Sequence, residues 1–232
     1  MVHDTFIIVT ARDEGDRLGA TLAALARALP GVPVWVADDG SRDNTAAVAH
    51  GAGATVVREE RPLGKGAAAT RAAYSALAQL QPADEAIALL CDADLGDSAG
   101  RLAALCETVR RNQADLAVAV FARRVGGGLG LAVGFARWAV RRRCGLELQA
   151  PISGQRALRV RVLRDVLPFA AGFGMELGMT IDAVRAGHRV CEVPLDLRHR
   201  ATHRTLAGFA HRGRQLGDLA RVYIGRMGGG RV

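Results

Sequence analysis

The order of its apolar runs constrains this chain most. Short, continuous, uncharged runs recur, each long enough for a strand and too short for a helix. Phe6 to Ala11 is the first, followed by a helical pattern of Leu18, Leu22, Leu25 and Leu29 that Pro30-Gly31 ends. Val32 to Ala37, Ala54 to Arg58, Ala86 to Cys91 and Asp115 to Phe121 repeat the strand signature. Helical stretches separate them, opening at Asp43 and Thr45, at Gly64-Lys65-Gly66, and near Ser98. This alternation predicts an α/β fold, a mostly parallel central sheet with helices on both faces.

Ligands in such sheets gather at the carboxyl ends of strands. The stretches 10–14, 38–41, 64–66 and 92–94 all fall there. In Asp92-Ala93-Asp94 two carboxylates follow a buried run with one small residue between them. Side chains alternate along an extended chain, so both point one way if that geometry persists. Such a pair suits a hard divalent cation that in turn holds phosphate oxygens; on the stretch alone, a capped loop is the alternative. Asp38 and Asp39 fit turn and helix-cap chemistry equally well. Lys65 opens a helix whose amides could face an anion, but a lone Gly-Lys-Gly is not a phosphate loop, and a solvated lysine explains it nearly as well.

The second half reads less regularly. Gly126 to Gly130 predicts a loop, Leu131 to Arg143 an arginine-rich amphipathic helix around Trp138, and Ser153-Gly154-Gln155-Arg156 a turn. A helix is predicted from Gly172 to Ala186 and a strand from Val190 to Leu197. A last helix runs from Leu206, with Leu216, Ala220, Tyr223 and Met227 on its apolar stripe and Arg221 and Arg226 on the other face. No repeat or interdomain linker is visible. The formal charge of +8 divides into −5 over residues 1–120 and +13 over 121–232. An acidic half with a basic half fits a metal in one and an anionic partner in the other. Nucleic acid is a poor candidate, because aromatics make up only 4% of residues and too few are available as stacking platforms. The cysteines, Cys91, Cys106, Cys144 and Cys191, are far apart and read as reduced packing thiols. No signal peptide or spanning segment is read from the sequence, so a cytoplasmic protein is expected, with any membrane contact peripheral.

These motifs together resemble the family 2 glycosyltransferases of the GT-A fold, with a layout similar to the dolichyl-phosphate mannose synthase-like, polyprenyl-phosphate branch. The resemblance covers about residues 5–205 and rests on Thr10 to Glu14, Asp38 to Thr45, Gly64-Lys65-Gly66, Asp92 to Leu95, Ser153 to Arg156 and Glu192-Val193-Pro194. Thr10 and Asp13 depart from it, standing where the family usually has Pro and Asn. It implies a GT-A domain over 1–204, with a nucleotide-sugar half to 120 and an acceptor half from 121, then a basic helix and tail over 205–232. It implies donor contacts from Thr10, Ala11, Arg12, Glu14, Asp38, Asp39, Lys65, Asp92 and Ala93, with Asp38 accepting from the base. Asp92 and Asp94 would hold Mg²⁺ or Mn²⁺, with Asp94, Glu176 and Arg156 in catalytic roles.

The donor expected is a UDP-sugar or GDP-sugar. If the acceptor is a polyprenyl phosphate, the nucleophile is already an anion and arginines suffice to hold it. Arg123, Arg200, His203 and Arg204, with Arg156, are the candidates for that phosphate. If the acceptor is a hydroxyl, as in the glucosyl-3-phosphoglycerate synthases that Gly172 to Asp182 also resembles, Glu176 is the candidate base. A nucleotide-sugar-binding protein without activity is the non-enzyme alternative. The basic helices fit a membrane surface, with packing on the sheet or in a homodimer as the other reading.

Overall fold

The computed structural model describes residues 4–121, 131–197 and 217–226. Within them seven strands form one sheet: β1 (Thr5–Ala11), β2 (Val34–Asp38), β3 (Thr55–Arg58), β4 (Ile87–Asp92), β5 (Leu116–Phe121), β6 (Arg156–Arg159) and β7 (Val190–Leu195). Their spatial order is β3-β2-β1-β4-β6-β5-β7. All pairings are parallel except those of β6, which runs antiparallel between β4 and β5. The mostly parallel sheet is therefore as expected, while β6, which begins at the last residue of the expected 153–156 turn, is a strand the sequence did not predict.

Helices cover both faces: α1 (Gly15–Ala28), α2 (Thr45–Gly51), α3 (Lys65–Leu80), α4 (Ala103–Arg110), α5 (Leu131–Cys144), α6 (Val160–Val166), α7 (Met175–Arg185), and α8 over 217–225. The two faces are visible within β1 itself. Phe6 and Ile8 join Leu90, Val118 and the alanines of α3 in one core cluster, with Val162 and Met179. Ile7 and Val9 join Leu18, Leu22, Leu25, Leu105 and Cys106 in the opposite one. The period of two sends successive side chains to opposite faces, so a strand buried on both reads as an unbroken apolar run. Each fully buried Leu, Ile or Phe contributes about 1.5–3 kcal/mol. Cys91 and Cys106 lie buried in the second cluster, in packing positions.

A third cluster joins α5, α7 and α8 through Val140, Leu177, Ile181, Leu219 and Val222. Here the phase of the last helix differs from expectation. Leu219, Val222 and Arg226 are buried, while Ala220 and Tyr223 are only partly so. Arg226 turns inward because Asp182 of α7 accepts its Nε–H at 2.8 Å. Residues 206–216 of the expected helix, and the expected loop at 126–130, lie outside the described residues.

Chain order turns at β1. The path runs outward through β2 and β3, then returns to place β4 on the other side of β1. That reversal opens a crevice at the carboxyl ends of β1 and β4, where ligands bind in open α/β sheets.

Candidate active site

The register of the sheet brings the motifs together. Thr10 stands opposite Asp92 across β1 and β4, and Ala11 opposite Asp38 across β1 and β2. A cavity of about 650 Å³ opens over these strand ends. Thr10, Ala11, Arg12, Glu14, Asp39, Lys65, Asp92, Ala93 and Asp94 all line it, so the structure brings these expected residues together.

Asp92 is the centre of its polar contacts. Thr10 Oγ1 donates to Oδ1 at 3.0 Å, and Gln155 Nε2 donates to Oδ2 at 3.1 Å. The Lys65 ammonium stands 2.6 Å from Oδ1 and donates to Glu176 Oε1 at 2.7 Å. Burial opposes the charged forms of Lys65 and Asp92, but their mutual attraction outweighs it. The lysine pKa is raised and the Asp92 pKa lowered, with Glu176 adding to the first shift. Thr21 of α1 fixes the next turn: its hydroxyl donates to the Ala93 carbonyl at 2.7 Å and accepts from the Gly96 amide at 2.9 Å.

Gly154 makes room for this arrangement. A Cβ there would stand 2.6 Å from Lys65 Nζ and 2.7 Å from Asp92 Oδ2, too close for ordinary contact. The space beside the carboxylate exists only because residue 154 lacks a side chain. Among the described residues no group of three or more His, Cys, Asp or Glu could hold a metal. The chain itself offers the two carboxylates Asp92 and Asp94, the number Mg²⁺ usually takes when substrate phosphates and water complete its shell.

Some expected residues serve structure. Asp39 accepts from the Leu63 and Gly64 amides at 2.7 and 2.9 Å, fixing the entry to α3. Asp38 is fully buried and does not line the cavity. Its Oδ1 caps the Ser41 amide at 2.8 Å, while Oδ2 makes no hydrogen bond and lies 3.5 Å from Arg58 Nε. Asp13 accepts from the Arg42 amide, and Asp43 accepts from the first amides of both α1 and α2.

Arg156 is a correction. Expected over the site as a phosphate-binding or catalytic arginine, it is fully buried in β6 and absent from the cavity wall. It donates to the carbonyls of Ser153 and Pro151, both at 2.8 Å, and to Thr180 Oγ1 at 2.9 Å. Burial lowers its pKa to about 10, against the pull of Glu176 and Glu192. It holds the 151–154 turn in place. Glu176 also differs from expectation: it lies beneath Lys65 as that lysine's ion-pair partner and does not line the cavity. Arg123, Arg200, His203 and Arg204 lie outside the described residues.

The structure adds residues that the sequence reading passed over. Gln155 stood inside a recognised motif, but its contact with Asp92 depends on the antiparallel placement of β6. Asp218 of α8 lines the cavity beside Gly172. A Cβ on Gly172, whose φ is +57°, would collide with that carboxylate. The only signal for Asp218 was an acidic residue in a basic helix.

The sequence profile described as glycosyl transferase family 2 matches residues 6–166, more than half of the chain. The chain belongs to glycosyl transferase family 2. It is therefore a glycosyltransferase with the GT-A fold. Among solved structures, one similar protein is glucosyl-3-phosphoglycerate synthase from Mycobacterium tuberculosis, in complex with Mn²⁺, UDP and phosphoglyceric acid. It is 25% identical, with a TM-score of 0.72 over 94% of this chain and 78% of that one. The same enzyme with Mn²⁺, UDP and glucosyl-3-phosphoglycerate gives 24% identity and 0.72 over 94% and 79%. A structure described as a mycobacterial protein gives 26% and 0.73 over 94% and 74%. The first two of these are glucosyl-3-phosphoglycerate synthase rather than a dolichyl-phosphate mannose synthase-like protein. Against curated proteins, no sequence match is significant.

Proposed function

We propose that this glycosyltransferase uses a UDP-sugar with Mg²⁺ or Mn²⁺ and transfers the sugar to a small phosphorylated acceptor. The charge of the cavity wall carries the metal-dependent donor reading. Among the described residues, Glu14, Asp39, Asp92, Asp94 and Asp218 face it, against Arg12 and Lys65. A diphosphate entering that wall meets more negative than positive charge, so a divalent cation is needed to hold it. Held by Asp92 and Asp94, the cation would stabilise the departing diphosphate as a Lewis acid.

The chain's own residues do the rest. Lys65, fixed by Glu176, supplies a second positive charge to the donor. Gln155 and Thr10 orient Asp92. Ala11 and Arg12 border the nucleoside side, and Asp38, buried behind them, fixes the Ser41 turn. Glu176, already paired with an ammonium, positions Lys65. The small phosphorylated acceptor rests on the similar synthases crystallised with phosphoglyceric acid and with glycerol 3-phosphate. A polyprenyl phosphate is the second reading, favoured by the aromatic and arginine-bearing surface of α5 and α8 beside the cavity.

Titration calorimetry with UDP-glucose and GDP-mannose, with and without Mn²⁺, tests the donor. Binding of a UDP-sugar should require the metal and be lost in Asp94→Ala. Metal-independent binding by the intact protein would overturn the reading. Product analysis with 3-phosphoglycerate and with a polyprenyl phosphate then separates the two acceptors.

A further inference from the structure

Five large hydrophobic side chains stand exposed among the described residues, and three of them, Leu131, Trp138 and Ile224, belong to α5 and α8. Leu131 and Trp138 are seven apart and share one face of α5. Trp138 is half exposed, yet it is held firmly: its ring centroid lies 5.6 Å from that of Phe135 and 4.9 Å from that of Tyr223 on α8. Arg143 stacks over the Tyr223 ring at 4.1 Å. The indole is thus presented to solvent by a built aromatic cluster.

Positive charge surrounds it. A groove of about 1100 Å³ beside Trp138 is lined by Arg137, Arg141 and Arg142, with Glu147 the only acid among the described residues lining it. Arg137 is tied to the Gln149 carbonyl, and Arg141 lies 3.8 Å from Glu147. Arg142 makes no ion pair among the described residues. On α8, Arg221 and Ile224 also face solvent. An aromatic ring with an apolar body, flanked by arginines on amphipathic helices, matches the boundary between anionic headgroups and acyl chains. A second copy of this chain fits less well, because its arginines would meet these.

We infer that the α5–α8 face docks on an anionic membrane surface, with Trp138 entering the headgroup layer and Arg141 and Arg142 meeting lipid phosphates. Asp218 on the same α8 lines the catalytic cavity, so docking would hold the cavity close to the bilayer. The inference stands whether or not the acceptor is a lipid.

The full chain can be tested with vesicles of phosphatidylcholine alone and with added phosphatidylglycerol. Trp35, the other tryptophan, is buried, so a blue shift in emission reports Trp138. Sedimentation with the anionic vesicles and a blue shift are expected, both absent with phosphatidylcholine. Near the surface each arginine contributes about fivefold to partitioning, so Arg141→Gln with Arg142→Gln should weaken it about 25-fold. Trp138→Ala should weaken it while the chain stays folded by circular dichroism at the assay temperature. Failure to bind anionic vesicles would overturn the inference. So would binding unmoved by these variants, or an equal shift with inorganic phosphate alone. A dimer in light scattering that Trp138→Ala dissociates, without vesicle binding, would assign the face to a second copy.

Discussion

Lys65 Nζ lies 2.7 Å from Glu176 Oε1, joining the first residue of α3 to the first turn of α7 across 111 positions of sequence. The same ammonium lies 2.6 Å from Asp92. One lysine thus ties the acidic half of the chain, which carries the Asp92 and Asp94 pair, to the basic half. The division of charge seen in the sequence meets at this atom.

If Glu176 serves to position Lys65, the amide that replaces it should be tolerated. Glu176→Gln keeps an oxygen for the ammonium, and turnover should fall by less than about tenfold. Removal of a general base costs about 10²-fold or more. Lys65→Met should be the more damaging change, weakening UDP-sugar binding in calorimetry as well as turnover. The reverse order of severity would return Glu176 to the role of base.

The pH dependence of this cluster has a defined sign. The folded Asp92 pKa lies below its ordinary 3.8, so its contribution is full above about pH 4 and is lost as pH falls through the folded value. The folded Lys65 pKa lies above 10.5, so its contribution is full below that and is lost only at still higher pH. Melting temperatures should show no change from this cluster between about pH 5 and 9. Asp92→Asn should show a shallower acid limb than the parent; identical acid limbs would argue against the pairing.

Gly154→Ala places a methyl group against both Lys65 Nζ and Asp92 Oδ2. The lysine can swing away, but Asp92 is also held by Thr10 and Gln155. Displacements of about 1 Å at a reacting centre cost up to about 10²-fold, so a large loss of turnover is expected with little change in thermal stability. Mn²⁺ binding followed by electron paramagnetic resonance should weaken in parallel.

Arg156→Met should behave as a stability variant. It strips donors from two carbonyls and a threonine hydroxyl in a fully buried place. Each such group left unsatisfied costs about 1–3 kcal/mol. For a chain of this size about 3 kcal/mol lowers the melting temperature by about 6–12 °C. Differential scanning calorimetry checks this, and substrate KM measured well below that temperature should change little. A normal melting temperature with lost activity would restore Arg156 to the chemistry.

What the sequence made legible follows from how each element is buried. β1, β2, β4 and β5 are buried mainly by their own apolar side chains, so their signal is local. β6 is Arg-Ala-Leu-Arg, and its burial depends on partners far away. Arg159 reaches Glu85 at 2.6 Å and the Val109 carbonyl at 2.9 Å, and Arg156 reaches Thr180. A local reading of that stretch sees two charges flanking two apolar residues and predicts no strand. α8 misled in the same way, since Arg226 goes inward to Asp182. Of the site, the residues on the ends of β1 and β4 were readable because their motifs are contiguous. Gln155 as an Asp92 partner and Asp218 on the wall arise only from the antiparallel insertion and from the docking of the last helix.

That docking has a consequence for synthesis. α8 is the last element described, yet Asp218 forms part of the cavity wall. On the ribosome, every strand of the sheet can emerge and pair before residue 218 leaves the exit tunnel. During that interval the donor crevice can exist while one wall is missing. A partly made chain therefore has the framework of a sugar transferase before it has the finished enclosure, and the assembled cavity marks a chain translated past its last described helix.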